Sequence, residues 1–132
     1  MDPARFIFSY RCQHKLKDRL RTYADLTAMY PDCALVVLER FPNATNLLPV
    51  LDQPNIVVHK KWSVGHFCYK VQRDMGYEPI FLREMYFWTH DKLRIPPRYS
   101  CSMEEFEKVY AREDGIIYLK YSDVPSPPPE GE

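Results

Sequence analysis

The chain is poor in glycine, with Gly65, Gly76, Gly115 and Gly131 the only four in 132 residues. Residues so far apart form no glycine-rich loop of the kind whose successive backbone N–H groups cradle phosphates. An excess of either charge is also missing, because 18 Lys plus Arg face 18 Asp plus Glu. No overall field therefore favours nucleic acid or an anionic membrane. Cys12, Cys33, Cys68 and Cys101 include no C-x-x-C pair, which argues against a zinc site and for reduced thiols in the cytosol. No apolar run is long enough to span a bilayer and no signal-peptide pattern opens the chain. The expectation is a cytoplasmic protein in which the sequon Asn43-Ala44-Thr45 goes unused. His14, His59, His66 and His90 lack metal-ligand spacing, so no metal or cofactor is expected. A Cys–His nucleophile would have to come from Cys68 or Cys101 with His66 or His90. His66 and Cys68 lie two apart on a predicted helix and do not face each other. Enzymatic activity is not expected.

What the chain does have is 45% apolar residues, 14% of all residues aromatic, and twelve prolines, enough for one packed domain with punctuated elements. Arg5 to Tyr10 reads as a short arm or edge strand. From Lys15 to Tyr30, the apolar residues Leu16, Leu20, Tyr23, Leu26 and Tyr30 recur in steps of three and four and mark one helix face. Arg11, Lys15, Lys17, Arg19 and Arg21 crowd this region and read as a solvated face rather than a docking patch. Ala34–Arg40 is a strand, Phe41–Asn46 its turn, Leu47–Pro54 irregular, and Asn55–His59 a second strand pairing antiparallel with the first. Ser63 caps a long helix carrying Val64, Phe67, Cys68, Val71 and Met75 on one face, with Gly76 just past its end. Residues 77–84 read as a loop, Met85–Thr89 as a third strand and Leu93–Ile95 as a short fourth. Ser102-Met-Glu-Glu105 is a capping box opening a helix that buries Met103, Phe106 and Tyr110. The last strand lies between Gly115 and Asp123, with Ile117 and Leu119 facing opposite to Ile116, Tyr118 and Lys120. The tail Val124–Glu132, rich in proline, packs no core. This order predicts an α+β fold: a ubiquitin-like β-grasp (31–123) preceded by an arm and helical extension (1–30) and followed by a flexible tail (124–132).

Tyr30-Pro-Asp32 before a strand, Leu51-Asp52 before the second, Ser63-Val-Gly-His-Phe67 opening the long helix, Ile95-Pro-Pro97 and Tyr118-Leu-Lys-Tyr-Ser-Asp123 resemble the autophagy-related protein 8 family. That family comprises the microtubule-associated protein light chains and GABA-receptor-associated proteins. The likeness is collinear from about His14 to Asp123. It implies a non-enzymatic modifier that is trimmed by a cysteine protease. Activating and conjugating enzymes then join it through a C-terminal glycine to phosphatidylethanolamine on autophagosome membranes. There it would capture receptors with a short aromatic-x-x-aliphatic motif, which adds as a strand to a sheet edge. By resemblance, Leu26, Leu35, Val57 and Ile116 line the pocket for the aromatic side chain. Ile56, Val58, Trp62 and Phe67, with Lys70 at the margin, line the aliphatic one. Asn55, Ile56 and Val57 supply the edge backbone. Strand alternation independently sets Val57 opposite Ile56 and Val58.

Two departures stand out. Gln53, Pro54 and Asn55 replace the lysines usual on the second strand, and Asp74 replaces a base late in the long helix. Acidic flanks on a ligand peptide should therefore add little, with Lys60 and Lys61 as partial substitutes. Gly131 lacks the usual preceding aromatic and has only Glu132 after it. A soluble, never-conjugated peptide-binding adaptor and an unrelated ubiquitin-like domain without a groove remain as alternatives. Whether the basic helix meets microtubules or lipid stays open.

Overall fold

The computed structural model describes residues 9–45, 48, 50–51, 53–75 and 85–126. The predicted arm before Ser9, Asp52, the Gly76 helix stop, the 77–84 loop and the tail end with Gly131 lie outside the described residues. Four strands, β1 (Cys33–Arg40), β2 (Asn55–His59), β3 (Tyr86–Thr89) and β4 (Ile117–Ser122), form one mixed sheet in the order β2-β1-β4-β3. β1 pairs antiparallel with β2 and parallel with β4, and β3 pairs antiparallel with β4. Among the described residues the helices are α1 (Tyr10–Gln13), α2 (Leu16–Met29), α3 (Val64–Asp74) and α4 (Met103–Tyr110). This is the expected α+β, ubiquitin-like arrangement with two helices before the sheet.

Alternation along the strands sorts the core into two layers. Ala34, Val36, Leu38, Ile117, Leu119 and Tyr121 face α3 and α4, where Val64, Phe67, Val71, Met103 and Phe106 close the main core. Leu35, Val37, Ile116 and Tyr118 face the other way, against Tyr10 and the half-buried Tyr23 and Leu26 of α2. The caps behave as their residue types predict. Ser63 Oγ accepts the His66 N–H at 3.0 Å and Ser102 Oγ accepts the Glu105 N–H at 3.2 Å. Leu93–Ile95 falls short of a strand: Arg94 makes a single bridge to Trp88, and Ile95 N–H donates to the Phe87 carbonyl at 2.8 Å. Three residues after a tight turn close the hairpin, and Pro96 ends the donor row immediately.

Two expectations about α2 are corrected. Its predicted apolar face is largely in water, with Leu16 43%, Leu20 42% and Tyr30 46% exposed. Arg19, assigned to a solvated basic face, is only 7% exposed. Tyr23 and Leu26, both on the predicted face, do pack inward, and Arg19 joins them in place of Leu16, Leu20 and Tyr30. The cause is polar. Arg19 Nη1 donates to Asp114 Oδ2 at 2.6 Å, and Arg19 Nε donates to the His14 carbonyl. Asp114 is fully buried; it also accepts the Tyr118 hydroxyl at 2.6 Å and the Ile116 N–H at 2.9 Å. Burial beside that carboxylate pushes the Tyr118 phenol well above its ordinary range. Next door, Gly115 takes a left-handed φ of 85°, and a Cβ there would sit 2.7 Å from the Tyr23 ring, so glycine is required on both counts. Arg11 adds a surface ion pair to Glu113.

Removing one partner of a buried pair strands the other charge, typically at a cost of about 3–5 kcal/mol. Arg19→Ala is therefore expected to lower the unfolding free energy from denaturant titration by that amount, whereas Lys17→Ala, on the exposed side of α2, should leave it within about 0.5 kcal/mol.

Candidate functional site

The site begins with the hydrogen-bond phase of β2. Leu38 N–H donates to the Pro54 carbonyl at 2.9 Å, and Lys60 N–H donates to the Asp32 carbonyl at 2.9 Å. With the register Val36↔Ile56 and Ala34↔Val58, these fix the residues whose main chain is turned towards β1. In an antiparallel pair the two kinds of residue alternate, so Ile56 and Val58 bond inward while Asn55 and Val57 direct N–H and C=O outward; the His59 carbonyl is taken by the Trp62 N–H at 3.0 Å. Among the described residues β2 has β1 as its one strand neighbour, and its outer edge is unpaired. Ile56, expected to share in the edge backbone, is corrected: its main chain is spent on Val36. The bonds that set this phase come from tertiary pairing, which residue spacing does not reveal.

The side chains on either face of this edge differ in access. On the α2 face, Leu35 is 1% and Ile116 0% exposed, so they form a floor already covered by the protein, with Leu26 and Val57 half-buried at the rim. On the α3 face, Val58 and Phe67 are each 3% exposed and belong to the main core. Ile56, half-buried, and Trp62, 36% exposed, carry the accessible surface there. Trp62 is held from both sides. Its ring stacks on His66 at 4.4 Å between centroids. Its carbonyl accepts the Met103 N–H at 2.8 Å, and the neighbouring Lys60 carbonyl accepts the Glu104 N–H at 3.0 Å. The first amides of α4, which lack partners inside their own helix, thus tie down the loop that presents Trp62.

The charges around the edge are partly spoken for. Lys70 pairs with Asp74 at 3.2 Å, and Lys60 pairs with Glu107 at 3.6 Å. Glu39 accepts the Tyr10 N–H at 2.7 Å and pairs with Lys120. The arrangement offers two outward backbone donor–acceptor sets and apolar surface on both sides of them. Cys68, the predicted candidate closest to this helix face, is buried, and burial pushes its thiol up to about 12, so it stays protonated near neutrality. Among the described residues no cluster of His, Cys, Asp and Glu could hold a metal ion. A thiol-reactive dye in mildly alkaline buffer should modify the exposed Cys12 promptly and leave Cys68 unmodified until the protein unfolds, as read by intact and peptide mass.

No family model matches the chain. Over 114 residues it is 27% identical to autophagy-related protein 8h of Arabidopsis thaliana, covering 86% of this chain and 90% of that protein. It is 25% identical over 114 residues to autophagy-related protein 8i of the same plant, covering 86% and 93%. Among solved structures, the crystal structure of Trypanosoma brucei ATG8 matches with a TM-score of 0.76 and 23% identity, over 88% of this chain and 94% of that one.

Proposed function

We propose that this chain, a divergent member of the autophagy-related protein 8 family, works as a docking platform that receives short aromatic-x-x-aliphatic peptides along β2. Its similarity to autophagy-related relatives over most of the chain supports this reading. The observation that carries it is the unpaired β2 edge, with Asn55 and Val57 main chains outward and apolar surface on each side. A peptide strand would pair with those groups. Its aromatic side chain would reach the Leu26–Val57 rim above Leu35 and Ile116. Its aliphatic side chain would rest on Ile56 and Trp62, above Val58 and Phe67, with Lys70 at the margin. Main-chain pairing supplies affinity while the alternate side chains supply specificity.

The test separates edge from core. Val57→Pro deletes the outward N–H and leaves the bonds to β1 in place, since proline is tolerated where a strand amide faces solvent. It should weaken an aromatic-x-x-aliphatic peptide by about tenfold or more, the cost of losing a strand bond and a contact, with the fold retained by circular dichroism. Trp62→Ala should act in the same direction. Peptides with and without acidic flanks should differ little, because Gln53, Pro54 and Asn55 offer no charge and Lys70 faces Asp74. Unchanged binding to Val57→Pro would overturn the strand-addition reading.

We further propose that Gly131 is the conjugation point. A processing cysteine protease removes Glu132, and activating and conjugating enzymes pass the glycine carboxyl to the amine of phosphatidylethanolamine, which brings the protein from the cytoplasm to the autophagosome membrane. Among the described residues no helix is long and apolar enough to cross a membrane. Incubation with the protease should lower the intact mass by one glutamate. Gly131→Ala should abolish membrane association in cells while leaving peptide binding untouched. A mature protein that carries no lipid yet binds peptides identifies the non-conjugated adaptor.

A further inference from the structure

The β3 edge of the sheet carries a second cavity, of about 820 Å³, between α3 and residues 94–100. Its volume falls in the range of small-ligand sites. Its floor is apolar, with Phe87 and Ile95 both buried. Its walls include the rings of Tyr69, 54% exposed, and Tyr86. Its charged lining is of one sign. Arg94 and Arg98 both border it, and among the described residues no carboxylate does. Arg94 sits over the Tyr86 ring, Cζ 4.3 Å from the centroid, a cation–π contact that holds its charge at the cavity wall. Neither arginine has an ion pair or hydrogen bond among the described residues, although carboxylates partner most of the basic residues nearer the sheet core.

Arg98 is also conformationally constrained. Its φ is 57°, a left-handed conformation that costs an L-residue free energy and persists only when its surroundings impose it. Those surroundings are visible. A Cβ on Gly65 would lie 2.9 Å from Arg98 Cα and 2.5 Å from Tyr99 N, so the loop backbone is pressed against α3. Gly65 N–H donates to the Tyr99 carbonyl at 2.9 Å, and Val64 N–H donates to the Cys101 carbonyl at 2.8 Å. The first amides of α3 are thereby used up, so an anion in this cavity would be held by side chains. The clamp of loop on helix fixes Arg98 at the mouth beside Arg94.

We infer that this cavity binds a phosphomonoester, held by Arg94 and Arg98 with its organic portion against Tyr69, Tyr86 and Phe87. Two guanidiniums suit the several acceptor oxygens and double charge of that group better than a single carboxylate. The shared chemistry has two sources, a free phosphate ester and the headgroup of a membrane lipid such as phosphatidic acid. The cavity lies at the opposite edge of the sheet from β2, so the inference is independent of peptide docking.

The full chain is titrated with phenyl phosphate and followed through its backbone amide resonances. Signals of Tyr69, Arg98 and Ser100 should shift saturably, and the pair Arg94→Gln and Arg98→Gln should weaken binding about tenfold or more, the loss of two charge-assisted contacts. Arg73→Gln, on α3 but outside the cavity, should change nothing. Both double-variant positions are exposed, so an unchanged amide spectrum will confirm the fold. Phosphatidylcholine vesicles containing phosphatidic acid, compared with vesicles containing phosphatidylserine, identify the source: sedimentation that is selective for phosphatidic acid and lost in the double variant assigns the headgroup, while phenyl phosphate binding without it assigns a free ester. No saturable shift with phenyl phosphate, shifts that survive the double substitution, or shifts centred on the basic residues of α2 would each overturn the inference.

Discussion

The buried contact of Arg19 with Asp114 is the constraint on which the α2 side of the β2 edge depends. α2 has no continuous apolar stripe against the sheet, because Leu16 and Leu20 are turned outward. What seats it is a guanidinium threaded between the helix and the β4 entry, with Tyr118 and the Ile116 amide completing the carboxylate's shell. A buried ion pair contributes little net stability relative to apolar packing, but it tolerates only one geometry. It therefore fixes where α2 lies along the sheet. Leu26, two turns further on the same helix, becomes the rim above Leu35 and Ile116.

The two borders of the sheet are managed differently. Along β3 the chain turns through Asp91 and Lys92, and residues 93–95 fold back over the outer groups, with Thr89 and Ile95 amides paired. Along β2 no described residue does the same. An uncovered edge invites unwanted pairing; here it is short, five residues, and followed by the Lys60-Lys61 pair. The same α3 that closes the main core with Phe67 and Val71 serves both borders. Its start supports Trp62 through His66 on the β2 side, and Gly65 lets the 98–101 loop approach on the β3 side.

Much of the fold was legible because local rules and global needs agree. Strand alternation in Asn55–His59 and Ile117–Ser122 gave the correct faces, since a period of two cannot be satisfied any other way once one face is buried. Ser63 and Ser102 were readable as caps because each hydroxyl supplies an acceptor that the backbone lacks. The seating of α2 was not legible. Arg19 and Asp114 are 95 residues apart, and no spacing rule joins them; periodicity found Tyr23 and Leu26 but added Leu16, Leu20 and Tyr30, which lie in solvent.

The amino-acid order by itself determined the elements, their sequence and the chemistry of their ends, because these follow from side-chain period and backbone sterics; the apolar residues that flank β2 were named through the family resemblance. Only the tertiary structure decided which of those residues are accessible, which main-chain groups of β2 face outward, and that Arg94 and Arg98 share one cavity mouth. Each of those is a matter of pairing phase or of contact between segments distant along the chain, and neither quantity exists until the sheet has closed.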